Sequence, residues 1–543
     1  MRAWVLAGLI FCLCVPEAHA AGNWRILKDH WSVEDEQGFG QFVAALGASN
    51  CSSSQSCLRD VANPYRQTDQ RFLDIDVDCA KWPYLLRSYY AWKNGLPFSF
   101  TDGISGPGDA RFSKTPNRPV SRRDFVDHGE GINGPAVVRE VIGTVFSGTY
   151  RTDPSENRGV QSDFYSPALQ PGSVRAGSVI YDVNGHVGIV YRVDEDGRIY
   201  YMDAHPDFTI TRSVYGAQFG QSPLRLGGGL KNWRPFKLVG YHADAEGHLL
   251  GGHMAFAGND QIADFSLVQY VGTEPNPKMD AKKARFLYNG VALGFYEYAR
   301  VAVSGGKSNF NPIYELKATM KTLCNDLGDR AQYVDLAIKD RVSTWPHPSR
   351  LPDNIYGSDN EEWETYSTPS RDARIKAAAA QFYRDLAEMV DLWVHRDERI
   401  VYDGHFLQDD LREAYRAQSA ACTITYLSSA SRPVAMTYGD MMRRLFALSF
   451  DPYNCIELRW GASGQERESC PDSESKVRWY EAEQRLRNQP DRTYDIQMGF
   501  DLDELNHHVR GSGIDKPPPV DIEALIDAIP ERVPFVPMKP GDR

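Results

Sequence analysis

Between residues 176 and 207 the chain reads AGSVIYDVNGHVGIVYRVDEDGRIYYMDAHPD, and its apolar and polar positions alternate with a period of two. That period predicts a strand from Ser178 to Asp182, a tight turn at Asn184-Gly185, and a second strand opened by His186. A further turn at Glu195-Asp196-Gly197 leads to a third strand, on which Tyr201, Asp203 and His205 share one face. Residues 23 to about 245 read throughout as mixed α/β. From about 280 the spacing changes. The runs DARIKAAAAQFYRDLAEMVDLWVHRDERI and DLREAYRAQSAACTITYL carry apolar residues every three or four positions, which predicts amphipathic helices. A helix is also expected within DIDVDCAKWPYLLRSYYAW, residues 74 to 92. Asp78 is a good cap for a start at Cys79 or Ala80, Pro83 is tolerated only in a first turn, and Asn94-Gly95 closes the segment.

Breaks in the pattern divide the chain. Residues 1–20 join Arg2 to an apolar run from Val5 to Val15 and a small-residue AHA ending at Ala20, the pattern of a secretory signal peptide cleaved near Ala21. Residues 21–245 form the α/β part, with an insertion near 97–167 whose Pro/Gly/Ser-rich stretch 97–121 reads as a surface excursion. LGGGL at 226–230 reads as a loop. Residues 246–280 connect to a helical domain at 281–515, in which Trp345 to Tyr366 reads as an exposed loop. The proline-rich tail 516–543 is expected to be disordered or to lie extended on a partner. The expected class is therefore α+β with a mainly helical second half.

The composition, 42% hydrophobic and 24% charged over 543 residues, is that of a globular chain. A net charge of −12 with no basic run interleaved with aromatics argues against a nucleic-acid partner. No segment after the leader is apolar enough to span a bilayer, so a soluble periplasmic or secreted product is expected.

Seven cysteines follow the leader: Cys51, Cys57, Cys79, Cys324, Cys422, Cys455 and Cys470. In an oxidising compartment seven suggests three bridges and one thiol left over. Cys51 with Cys57 and Cys455 with Cys470 make natural short loops, and Cys324 with Cys422 then ties two helical segments. This pairing leaves Cys79 alone. At a helix start the dipole and unpaired amides favour a thiolate and can hold an oxyanion, which suits a nucleophile. Taken alone, Cys79 equally fits a small buried residue, and His186 a half-exposed strand histidine. Together they supply a thiol and an imidazole, with Asp203 or His205 to orient the ring.

The order Cys79, then GSVIYDVNGHVGIVYRV, then YYMDAH resembles the NlpC-type and CHAP-type cysteine peptidases and amidases, which share a papain-like fold. The resemblance covers about 130 residues of the first half. It implies a cysteine-bearing helix packed on an antiparallel sheet, with Cys79 as nucleophile, His186 as general base, and Asp203 or His205 as orienting group. Asp203 matches the acidic member of the family's pair. DCAKW lacks the small Ser-Gly pair common after the cysteine, and His186 lies unusually far from Cys79. The implied activity is hydrolysis of amide bonds, with peptidoglycan stem peptides or cross-links as substrate class and no metal or organic cofactor. The alternatives are a non-catalytic envelope-binding module on the same scaffold, and an acyltransferase or transglutaminase-like enzyme using the same thiol. The helical half is expected to select substrate, bind a protein partner or act as a lid. Elsewhere, His242, His248 and His253 lack metal-ligand spacing. Asp74, Asp76 and Asp78 lack the glycine and bidentate glutamate of a calcium loop.

Overall fold

The computed structural model describes residues 22–530 except 70–72, 74, 157, 206–207, 308, 358, 405 and 493–495. The expected leader with its cleavage point, Asp74, and residues 531–543 of the tail lie outside the described residues.

Helix α1 (Val33–Ala48) starts at a reciprocal cap, Ser32 accepting the Asp35 amide and Asp35 the Ser32 amide. Helix α2 (Lys81–Lys93) starts two residues after Cys79. Asp78 still caps it, since its Oδ1 accepts the Ala80 and Lys81 amides at 3.1 and 3.3 Å. The helix ends at Asn94, and Gly95 turns the chain with φ of 63°.

An antiparallel hairpin follows, β1 (Phe98–Ser105) and β2 (Arg118–Phe125). Residues 97–121 are therefore no mere surface excursion. The prolines and glycines gather near the hairpin's tip, while Phe98 and Phe100 are buried and stack with Phe125.

Strands β3 (Phe164–Tyr165), β4 (Val179–Asp182), β5 (His186–Val193), β6 (Ile199–Ala204), β7 (Ile210–Val214) and β8 (Gly229–Trp233) form one antiparallel sheet in the order β3-β8-β4-β5-β6-β7. The β4–β5–β6 meander is the one the period-two pattern predicts. Gly229 and Leu230, read as loop, instead open β8. One face of the sheet buries Val179, Tyr181, Val187 and Ile189 against Phe39, Phe42 and Val43 of α1 and Trp82 and Leu85 of α2. Ile180, Val190, Ile199 and Tyr201 on the other face pack on Tyr298, Ala299 and Ala302 of α3 (Phe295–Ser304).

Residues 246–280 are built into the first half. Strands β9 (Phe236–Val239) and β10 (His253–Phe256) pair and bury Leu238 and Met254 with Ile26. Gln269 binds both the amide and the carbonyl of Leu230. Helices α4 (Pro312–Lys339), α5 (Pro369–Val394) and α6 (Leu407–Ala421) share a core of Leu316, Leu323, Ile375, Phe382, Leu386 and Leu411. The helical half also carries a hairpin, β11 (Thr423–Leu427) and β12 (Pro433–Thr437), then α7 (Glu474–Ala482) and α8 (Ile522–Asp527). Two expectations fail here for one reason, that a few well-spaced apolar side chains outweigh a polar, proline-rich background. Residues 345–366 are anchored by buried Leu351, Ile355, Tyr356 and Trp363. The described part of the tail folds back, with Ile522 and Ile526 buried in the α4–α6 core.

Disulfides join Cys51 to Cys57, Cys324 to Cys422 and Cys455 to Cys470, and Cys79 is free. Among the described residues no helix is long and apolar enough to cross a membrane.

Candidate active site

Cys79 occupies the turn between the extended approach and α2, half-buried. The turn is held from outside: the Tyr150 hydroxyl donates to the Ala80 carbonyl at 2.6 Å. The Arg151 guanidinium pins the facing turn by donating to Val183 O at 2.6 Å. The Cys79 thiol donates to Gly185 O at 3.8 Å, and the Val187 amide also points at the sulfur. The sulfur thus sits against the backbone on both sides of His186. Its hydrogen bond goes to the carbonyl before the imidazole and not to the ring.

Burial pushes the thiol up to about 12, with the charges of Asp78 and Asp203 adding to it. A helix start was expected to favour the thiolate. The shift runs the other way because the sulfur is buried, and because Asp78, which accepts the Ala80 and Lys81 amides, adds a negative charge beside it.

His186 opens β5 opposite Asp182 of β4. Its Nε2 lies 2.6 Å from Asp203 Oδ2, with the two side chains 16% and 1% exposed. Burial lowers the imidazole below its ordinary value, against the pull of Asp203. Burial alone would raise Asp203, but His205, His186 and Arg374 outweigh it and hold the carboxyl well below the usual range. An ionised carboxylate only accepts, so Nε2 carries the proton and the lone pair is on Nδ1. Thr211 Oγ1 donates to Asp203 Oδ1 at 2.6 Å, which fixes the carboxylate from its other side. His205 lies just past β6. Its Nε2 is 2.9 Å from Thr211 Oγ1 and 3.8 Å from Asp203 Oδ2, and its ring stacks on His186 at 5.9 Å. Of the two possible orienting groups, Asp203 is the one bonded to His186.

The remaining parts of the site come from the helical half, and sequence spacing gave no sign of them. Arg374 of α5 pairs with Asp326 of α4 at 3.1 Å and donates to the Tyr201 hydroxyl at 3.3 Å. Asp329 of α4 lies 3.3 Å from His205 Nδ1. Burial pushes Asp326 up to about 6, with Arg374 opposing. Gly188 makes room for Tyr201, because a Cβ there would lie 2.7 Å from the ring. Arg492 forms an ion pair with Asp182, the cross-strand partner of His186. The Tyr356 hydroxyl holds Arg492 through its carbonyl at 2.5 Å, and the Tyr356 ring stacks on Phe112 at 4.5 Å.

The arrangement offers a base with a fixed tautomer, a carboxylate to stabilise its protonated form, and an unbridged thiol beside it. The Asp244, Glu246 and His248 cluster, of which only Glu246 is exposed, lies elsewhere, on the β9–β10 side of the first half. Comparison with protein-family models, with curated proteins and with solved structures finds no match.

Proposed function

We propose that this protein is a thiol hydrolase that cleaves amide bonds, built on a papain-like scaffold of the NlpC and CHAP kind and acting outside the cytoplasm on peptidoglycan peptides. The observation that carries the reading is the pairing of half-buried His186 with buried Asp203, set beside the free thiol, Cys79. The three disulfides support an oxidising compartment.

In the resting state both partners are neutral, a thiol and an imidazole. The reaction requires the sulfur to leave Gly185 O and reach His186 Nδ1. The imidazole takes the thiol proton as the S–C bond forms, and the carbonyl oxygen becomes an oxyanion. Collapse breaks the C–N bond, and the imidazolium gives its proton to the leaving amine. A water deprotonated by His186 then attacks the thioester, releasing the carboxylic acid and restoring the thiol. Asp203 holds the ring and stabilises the imidazolium in each step. His205, hydrogen-bonded to Thr211 and with Asp329 3.3 Å from its Nδ1, supports that carboxylate.

Incubating the purified protein with cell-wall sacculi and with casein tests the proposal. Released muropeptides, absent with Cys79→Ala, support it. Peptides from casein alone move the substrate to protein, and cross-linked product moves the reaction to acyl transfer. A second reading, a non-catalytic envelope-binding module, draws on the protonated thiol bonded to a carbonyl and on the helical residues packed over Asp203 and His205. Binding to sacculi without turnover, unchanged in Cys79→Ala, selects that reading.

A further inference from the structure

Three side chains from distant parts of the helical half converge away from the thiol. They are His347 in the 345–366 segment, Asp451 in the turn ahead of Cys455, and Glu483 at the end of α7. One ligand-type atom of each lies within 4.8 Å of the other two. His347 Nε2 is 2.8 Å from Asp451 Oδ2, and these side chains are 3% and 0% exposed. His347 Nδ1 is 2.6 Å from the Pro348 carbonyl, which only accepts, so Nδ1 carries the ring proton. In the neutral ring, Nε2 is then a bare lone pair aimed at a carboxylate. An Nδ1–H bonded to a backbone carbonyl is also the arrangement that orients a metal-ligating histidine. Trp479 stacks on the ring at 4.1 Å and fixes its plane.

Glu483 is fully buried, and neither of its side-chain oxygens has a hydrogen-bond partner. Its ion-pair partner, Arg487, stands off at 3.7 Å and donates instead to Tyr480 O and Gln484 Oε1. The Lys476 ammonium donates to the Ser343 and Tyr453 carbonyls. The two unpartnered Glu483 oxygens, Asp451 Oδ2 and His347 Nε2 thus gather ligand-type atoms in the interior, where a bound cation would satisfy all three residues at once.

We propose that His347, Asp451 and Glu483 bind one divalent cation of the zinc type. One imidazole nitrogen with two carboxylates suits a borderline metal, whereas calcium and magnesium prefer all-oxygen sets. Ligands at ~2.0–2.2 Å on a tetrahedral ion sit ~3.3 Å apart, so the Nε2–Oδ2 spacing opens by about 0.5 Å on binding. The ion ties three segments together. One of them carries Tyr356, which stacks on Phe112 and holds Arg492 beside the Asp182–His186 strand pair. It therefore stiffens a wall of the candidate active site without joining its chemistry, and the inference stands whether or not the thiol is catalytic.

The test uses the untagged full chain, dialysed against EDTA and then against zinc, with metal content measured by inductively coupled plasma mass spectrometry. The expected result is one zinc per chain, lost in Glu483→Gln and in His347→Gln but kept in His248→Ala, which removes the histidine of the Asp244, Glu246 and His248 cluster. Zinc raises the melting temperature of the EDTA-treated wild type, and calcium does not. Should either variant fail to fold, Co2+ uptake by the wild type gives an independent signature, a tetrahedral visible band displaced by zinc. The proposal is overturned if the wild type binds no zinc and shows no shift. It is equally overturned if zinc is lost only in His248→Ala, or if zinc does not bind and Glu483→Gln melts above the wild type, the behaviour of two carboxyls sharing a proton.

Discussion

Replacing Asp203 by Asn keeps the side-chain shape and removes the charge that His186 leans on. In the wild type the carboxylate is buried and makes two 2.6 Å hydrogen bonds, one to His186 Nε2 and one from Thr211 Oγ1. An amide has one accepting oxygen. Turned to His186 it leaves an NH2 facing Thr211, and turned to Thr211 it forces the imidazole into the wrong tautomer. A charge-assisted hydrogen bond contributes about 1.5–3 kcal/mol. At 1.36 kcal/mol per decade that is a loss of roughly 10- to 150-fold. The tautomer conflict adds to this, and the same swap in a serine-protease triad costs about 10⁴. The expectation is a kcat lower by about 10²–10⁴ with KM little changed, measured by muropeptide release under saturating sacculi. The pH profile gives a second readout. Burial depresses His186, so the wild-type acid limb lies below 6.5. Because Asp203 opposes that depression, its removal moves the limb to still lower pH. A variant within about threefold of wild type, or an acid limb that moves up, would refute the assigned role.

Further perturbations test the frame around the site. Cys324→Ser with Cys422→Ser opens a bridge between residues 98 apart, and loop entropy predicts a loss of roughly 3–5 kcal/mol in a denaturant titration. Arg374→Met strands the Asp326 carboxyl in the interior, for about 3–5 kcal/mol. Asp326 is already raised to about 6, and a raised carboxyl contributes stability at low pH that is lost as pH climbs, so this variant should be less destabilised at pH 5 than at pH 8. Gly188→Ala drives a methyl into the Tyr201 ring, and a fall of about 1–3 kcal/mol with weakened catalysis is expected from thermal unfolding and turnover. His186 is held neutral in the fold and charges freely when unfolded, so global stability should decline as pH drops below 6.5, less steeply in His186→Gln.

What the sequence made legible was local. Period-two alternation placed His186 and Asp203 on adjoining strands, and the count of cysteines singled out Cys79. Both rest on residues near in sequence or on simple parity. The helix start was also legible to within two residues, yet the state of the thiol was not, because that depends first on how far the fold buries the sulfur and then on the Asp78 and Asp203 charges around it. Arg374, Asp326 and Asp329 escaped notice because helical periodicity marks which face is apolar, and a polar residue on an inner face reads as a break in the stripe. The stretches 97–121 and 345–366 were misread through their prolines, glycines and acids. Buried Phe98, Phe100, Tyr356 and Trp363, few but well spaced, decided those segments. The cluster joins His347 to Asp451 and Glu483, each more than a hundred residues further on, and follows no motif.

The central claim is that His186 activates the Cys79 sulfur. Its most direct test is the rate at which iodoacetamide alkylates the unreduced protein as pH varies, followed by intact mass and peptide mapping. The account predicts a single adduct on Cys79, formed at least about ten times faster at pH 7 than in His186→Ala. Equal rates in the two proteins, or no adduct on Cys79 in the native wild type, would contradict it.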